Sequence, residues 1–118
     1  MPKISNSDLK KMRGAYDHEV ARHLVDIARN RSTITYAQLA ALFGRTARNW
    51  GDPLGGIALR CNDAHVPLLP VLVVTAATRM PSSGAVLYKD LGLDDEAAIR
   101  REQQNCYDFD WSKTPLGK

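Results

Sequence analysis

The residues that could do nucleophilic or metal chemistry lie close together at one point of the chain. Cys61 and His65 are four residues apart, with Asp63 between them. In one interpretation, Cys61 is a nucleophile that His65 activates as a base. In the other, Cys61 is a small buried apolar residue, which is the common state of a free cysteine. A metal would need a fourth ligand that the nearby sequence does not offer, and we expect no catalytic residue, no metal and no cofactor.

A second group of polar residues, at positions 45 to 50, suits nucleic acid. Arg45 and Arg48 carry guanidinium groups that can donate to phosphate oxygens, and Asn49 and Trp50 follow directly. An amide and an aromatic ring beside cations fit contacts to sugars and base edges. The alternative is a solvated basic turn in which Trp50 packs into the core. Further candidates for phosphate contacts are Arg60 and Lys89.

Charge and composition favour an anionic partner over a membrane. The chain has 118 residues and a formal net charge of +3, which suits one domain with a mild preference for anions. Most Lys and Arg precede residue 61, whereas most Asp and Glu follow it, so we expect a binding face on the first half. Two cysteines are too few for a disulfide framework. With no secretory signal and no apolar run long enough to span a bilayer, we expect a single cytoplasmic domain over 1–118.

Helix signals are strongest in the first half of the chain. Thr35 is a predicted N-cap, Gln38 completes a capping box, and Gly44 ends the helix as a C-cap. The predicted helices are Tyr16–Asn30, Tyr36–Phe43, Pro53–Asn62 with Asp52 as its cap, and Asp94–Gln104. Residues 1–13 are expected to be frayed, with a short turn at Ser7–Met12, and residues 106–118 to form a tail whose aromatic part, Cys106–Trp111, docks on the body.

The helix Pro53–Asn62 contains two adjacent glycines. Gly55 and Gly56 should weaken it by about 1 kcal/mol each relative to alanine. Because glycine has no Cβ, the pair predicts that something approaches the backbone closely, either another helix or a ligand backbone.

Strand signals follow the third helix. Pro70–Thr75 is apolar and β-branched, and Ala85–Tyr88 returns after a turn at Met80–Gly84. Two strands joined in this way predict a hairpin. The fold class is therefore α+β, a winged helix-turn-helix with three N-terminal helices, a β-hairpin wing and a C-terminal helix.

Several motifs in residues 33 to 88 resemble one family. The segment Thr35–Leu42, TYAQLAAL, resembles the TYxxLA opening of the winged-helix domain in alkylguanine-DNA alkyltransferases and alkyltransferase-like proteins. Gly55–Gly56 with Arg60 and Asn62 is similar to the recognition helix of that family and the Asn after it. Pro70 lies near the Pro of its PCHR motif, and Ser82–Tyr88 resembles its wing turn.

The resemblance implies a DNA surface without the chemistry of the family. In the family, the Tyr contacts a phosphate at the flipped nucleotide, and the helix with the small residues enters the minor groove. The alkyl acceptor is the Cys directly after the Pro, where this chain has Val71, and the intercalating Arg has no clear equivalent. Together with the basic turn, the implied nucleic-acid-binding residues are Tyr36, Arg45, Arg48, Asn49, Gly55, Gly56, Arg60 and Asn62.

These observations favour a non-catalytic protein that binds duplex DNA. An alternative from another class is a protein-interaction module on a winged-helix scaffold, such as an accessory, immunity or inhibitory protein. A third hypothesis, a cysteine enzyme, rests on Cys61 alone.

We expect no alkyl transfer, because a valine side chain cannot replace a thiolate nucleophile. Incubation with alkylated duplex DNA should leave the intact mass of the protein unchanged, while an active alkyltransferase treated in parallel gains the alkyl group. An adduct on Cys61 or Cys106 would contradict this expectation.

Overall fold

A computed structural model describes residues 6–44, 51–81, 91–93, 95–114 and 116. It shows a mostly helical α+β fold with a two-stranded sheet. In chain order the elements are α1 (Asn6–Gly14), α2 (His18–Arg29), β1 (Ile34–Thr35), α3 (Tyr36–Phe43), α4 (Gly51–Asp63), a 3-10 helix (Leu69–Leu72), β2 (Val73–Val74), α5 (Glu96–Asp108) and a second 3-10 helix (Trp111–Lys113).

Helix α2 forms one side of the core, as its apolar spacing predicts. It begins after Asp17, whose carboxylate accepts hydrogen bonds from the backbone N–H groups of Glu19 and Val20. This cap explains why α2 starts at His18 and not at Tyr16. Its buried residues share one stripe: Val20, Ala21, Leu24, Val25 and Ala28.

Helix α3 has the predicted bounds and the predicted capping box. The Thr35 hydroxyl accepts from the Gln38 backbone N–H at 3.0 Å, and the Gln38 side chain accepts from the Thr35 N–H at 3.0 Å. Gly44 ends the helix with a left-handed backbone, φ 63°, and its N–H donates to the Ala40 carbonyl. Local chemistry therefore fixes both ends of this helix.

The prediction of a strand over Pro70–Thr75 is wrong for its first half. Leu69–Leu72 is a 3-10 helix, and only Val73–Val74 is extended. The cause lies in α5: Gln103 Nε2 donates to the Val71 carbonyl at 2.9 Å, and Glu102 accepts from the Leu68 N–H at 2.8 Å. These side chains occupy backbone groups that a strand would offer to a neighbouring strand.

The sheet among the described residues is parallel. Ile34 pairs with Val73 and Thr35 with Val74, so β1 is the partner of β2. The second strand of the predicted hairpin, Ala85–Tyr88, lies outside the described residues.

Residues 6–14 form helix α1, where the sequence suggested a frayed segment with a short turn. The main contact of α1 is with α4. A helix of nine residues is marginal in water by itself, so its docking on α4 accounts for the order of this segment.

The C-terminal part of the described chain closes the core. Helix α5 is capped by Asp95, which accepts from the Ala98 N–H at 2.8 Å, and it runs past the predicted end at Gln104 to Asp108. Beyond it, Trp111 is 1% exposed, and its indole N–H donates to the Cys106 carbonyl at 2.8 Å. Among the described residues, no helix has the length and apolar character needed to cross a bilayer.

Replacing Thr35 with alanine should lower the free energy of unfolding by about 1 kcal/mol, because the Gln38 N–H loses its acceptor. Guanidinium denaturation measures this loss. Thr35→Ser is the matched control, since it keeps the hydroxyl, and it should lose much less. An equal loss in both variants would assign the effect to the threonine methyl group.

Candidate nucleic-acid interface

The structure describes five of the eight nucleic-acid-binding residues that the sequence suggests. Arg45, Arg48 and Asn49 lie outside the described residues, as do Trp50 and Lys89. The described five lie on two elements: Tyr36 begins α3, whereas Gly55, Gly56, Arg60 and Asn62 belong to α4.

Helix α4 is buried on several sides over residues 53 to 59. Every residue from Pro53 to Leu59 is buried, and exposure begins at Arg60. Leu54, Ile57 and Cys61 face the main core. A helix that is apolar and covered over two turns behaves as a core helix. In this structure, α4 therefore presents its last turn to solvent.

The glycine pair of α4 is covered by α1. A Cβ at Gly56 would overlap the Met12 carbonyl oxygen and lie 3.1 Å from the Tyr16 backbone N. A Cβ at Gly55 would lie 2.7 Å from the Met12 sulfur. The sequence predicted that either another helix or a ligand backbone approaches the glycines, and in the structure another helix does so.

The exposed end of α4 is organised by contacts with the residues around the α1–α2 junction. The Arg60 guanidinium lies 4.0 Å from the centre of the Tyr16 ring, a cation–π distance. The Tyr16 hydroxyl is 3.0 Å from His18 Nδ1. Arg13 donates to the Asp63 carboxylate at 2.6 Å, and this hydrogen bond lowers the pKa of the Asp63 carboxyl.

An open cleft of about 360 Å³ lies beside these contacts. Its lining combines two charged side chains of α4 with apolar surface from residues outside the helices. The residues around it are Tyr16, His18, Arg60, Asp63, Ala64, Thr114 and Leu116.

The cations near this end of α4 form what we call the basic edge, made of Arg13 and Arg60. Both are exposed. Arg13 and Arg60 both lower the pKa of the Asp63 carboxyl by their charge, so both lie near that acid. Arg13 is a site residue that the sequence did not suggest, because residues 1–13 were expected to be frayed and not part of the folded surface.

Tyr36 and Asn62 are placed differently. Tyr36 is partly buried and packs against the main core, whereas Asn62 is exposed in the last turn of α4. Asn62 therefore lies in the same helical turn as Arg60, whereas Tyr36 lies on a separate element.

The two thiols are shielded from solvent. Cys61 and Cys106 are both fully buried. Burial raises the pKa of Cys61 to about 12 and raises the pKa of Cys106, so both are neutral thiols at pH 7. His65 is exposed, which does not favour the nucleophile and base pairing. In the part of the chain that the structure describes, no three His, Cys, Asp or Glu side chains are grouped to hold a metal.

We expect neither native thiol to react quickly with Ellman's reagent at pH 8. Burial raises the pKa of Cys61 well above that pH, so the thiol stays neutral, and the sulfur is covered. Ala37→Cys adds an exposed thiol as a positive control, which should react at once, and guanidinium should expose all thiols. Fast labelling of native Cys61 would contradict this expectation and support the hypothesis of a cysteine enzyme.

Comparison with protein-family models, with curated proteins and with solved structures finds no match to this chain. The likeness to alkyltransferase winged-helix domains rests on the motifs between residues 33 and 88.

Proposed function

We propose that this chain is a non-catalytic duplex DNA-binding protein of the winged-helix type. The observation that carries the proposal is the basic edge at the exposed end of α4, where Arg13 and Arg60 lie near Asp63 and Asn62 is exposed in the same turn. The order α2, α3, α4, with a capped α3 and a left-handed Gly44 after it, supports a helix-turn-helix.

The basic edge has the chemistry that phosphate contacts require. Arg60 is held over the Tyr16 ring, so less side-chain freedom is lost when its guanidinium meets a phosphate. The Arg13–Asp63 ion pair is about half exposed on both sides, and such pairs are worth little in water. Arg13 can therefore exchange Asp63 for a phosphate oxygen at low cost.

The same geometry predicts the character of binding. With α4 covered over two turns, contacts at its last turn reach the backbone of the duplex before they reach base edges. Backbone contacts position a protein but carry no sequence information. Binding should therefore depend strongly on salt and weakly on sequence, with Arg45 and Arg48 adding further phosphate contacts.

A protein partner is the second candidate, and one observation favours it. Leu42 is the large hydrophobic residue that the described surface exposes most, at 60%. It shares the outer side of the uncharged helix α3 with exposed Ala37 and Ala41. An apolar face of this kind suits a protein interface. Leu42→Glu should abolish such an interaction. It should change DNA affinity by no more than a factor of about two beyond the effect of its added negative charge, which salt screens.

Arg60→Ala should weaken binding to duplexes of different sequence about equally. It should also reduce the slope of log K against log salt by about 0.9 for one lost phosphate contact. Fluorescence anisotropy at several salt concentrations measures both quantities. The double replacement of Arg45 and Arg48 with alanine should reduce the slope by about twice as much.

Arg100→Ala is the matched control for charge. Arg100 is exposed on α5 and pairs with Glu96 at 2.7 Å, so its loss removes one cation outside the basic edge. Circular dichroism of each variant verifies the fold. Equal slopes for the wild type and Arg60→Ala would remove Arg60 from the interface, and absence of binding by the wild type at low salt would end the DNA proposal.

A further inference from the structure

We propose that the cleft beside the basic edge binds a small organic carboxylate with an apolar body, and that this ligand competes with duplex DNA for Arg60. The ligand site rests on the cleft alone, whereas the competition rests on the proposed DNA-binding function. Arg60 belongs both to the basic edge and to the wall of the cleft. A ligand that occupies its guanidinium therefore removes one phosphate contact from the duplex.

The cleft contains a cation that is not held in an ion pair. Among the described residues, no carboxylate forms an ion pair with the Arg60 guanidinium, which lies 4.0 Å from the centre of the Tyr16 ring. Asp63 also lines the cleft, but its carboxylate accepts a 2.6 Å hydrogen bond from Arg13, which compensates its charge. The planar fork of a guanidinium matches the two oxygens of a carboxylate, so Arg60 is suited to hold one.

A second polar group in the cleft is the Thr114 hydroxyl. Thr114 is 5% exposed and lines the cleft. Its oxygen accepts from the Leu116 backbone N–H at 3.4 Å, and within the described part of the chain no group accepts its proton. Buried polar groups normally have partners. An anion seated in the cleft supplies the acceptor that this hydroxyl lacks.

The remaining lining of the cleft is largely apolar. Ala64, Leu116 and Tyr16 contribute this surface. The volume of about 360 Å³ lies near the lower end of the range of small-molecule pockets, about 300 to 1,000 Å³. A ligand with one ring or a short aliphatic chain suits this volume, and burying its body favours binding.

The walls of the cleft are fixed by the core before any ligand arrives. Leu116 is 4% exposed and belongs to the main core. Trp111, in the same C-terminal segment, is anchored by its hydrogen bond to the Cys106 carbonyl. The Tyr16 backbone lies against α4 at Gly56. A preformed site loses little conformational entropy when it binds.

Asp63 favours a carboxylate ligand over a phosphate. A phosphate monoester carries a charge of about −1.5 to −2 at pH 7, whereas a carboxylate carries a single negative charge. Arg60 can neutralise one negative charge. The additional charge of a phosphate would be repelled by the Asp63 carboxylate, which lines the same cleft.

Phenylacetate is the probe, because it joins one carboxylate to one apolar ring. Acetate keeps the charge without the ring, phenylacetamide keeps the shape without the charge, and phenyl phosphate carries the larger charge. NMR titration of the ¹⁵N-labelled full chain measures each affinity and locates each ligand. We expect chemical-shift changes at the residues that line the cleft, and an affinity for phenylacetate about tenfold or more above the other three. Equal affinities for phenylacetate and phenylacetamide, or changes only on other surfaces, would overturn the ligand site.

Three variants test the walls of the cleft. Ala64→Leu adds volume to the lining without a change of charge and should weaken phenylacetate binding about tenfold. Ala37→Leu is the matched control, because it makes the same substitution at an exposed position of α3, and it should bind as the wild type does. Thr114→Val keeps the shape, removes the hydroxyl and should weaken binding about fivefold. Arg60→Ala should weaken it at least tenfold, so the site remains testable even if Ala64→Leu does not fold.

Competition is measured by the anisotropy of a labelled duplex at constant ionic strength, with acetate as the control anion. Saturating phenylacetate should weaken binding by the wild type to the level of Arg60→Ala and should not affect Arg60→Ala itself. Ala64→Leu should bind the duplex as the wild type does and should resist phenylacetate.

The outcomes separate this inference from the proposed function. If phenylacetate binds in the cleft and the duplex stays bound, the competition is wrong. If phenylacetate does not bind in the cleft, the ligand site is wrong, whatever the protein does with DNA. If the wild type binds no duplex at low salt, the proposed function fails and the competition fails with it, while the NMR titration still decides the ligand site.

Discussion

The backbone contact between α1 and α4 at Gly56 determines which part of α4 a partner can reach. A helix presents a binding face only where nothing else is packed against it, and here the core takes one side while α1 takes another. Among the residues of α4 whose burial the structure describes, those left exposed lie in the last turn, Arg60 and Asn62 among them. The candidate site is therefore a helix end that carries cations, and the Arg60–Tyr16 contact orients one of them.

A second constraint comes from α5. Its consecutive side chains Glu102 and Gln103 bind backbone groups of the 3-10 segment, which ends where β2 begins and pairs with β1. Buried backbone groups must find partners, and a side-chain amide supplies one here in place of a neighbouring strand. Val71, whose carbonyl accepts the amide, is itself fully buried.

Features set by nearby residues could be predicted from the sequence, and features set by distant residues could not. The ends of α3 follow from Thr35, Gln38 and Gly44, which act within one helix. The 3-10 helix depends on Gln103, far along the chain from Val71, and no local pattern reveals that bond. The helical state of residues 6–14 depends in the same way on a surface that α4 provides.

The same distinction between nearby and distant residues applies to the candidate site. Arg60 and Asn62 were suggested by the resemblance of their segment to a recognition helix, and both are exposed in the last turn of α4. The glycine pair correctly indicated a close approach. Which partner makes that approach depends on tertiary packing. Arg13 became part of the basic edge only because α1 docks on α4, so composition alone gave no reason to select it.

The hydrogen bond between Gln103 and the Val71 carbonyl also bears on the order in which the chain can fold during synthesis. A ribosome releases the N-terminal residues first, so α2, α3 and α4 are free to associate while α5 is still being made. The backbone of residues 68 to 72 then lacks the two side chains that hold its polar groups. The backbone N–H of Leu68 and the carbonyl of Val71 therefore gain these side-chain partners only after α5 has emerged from the exit tunnel.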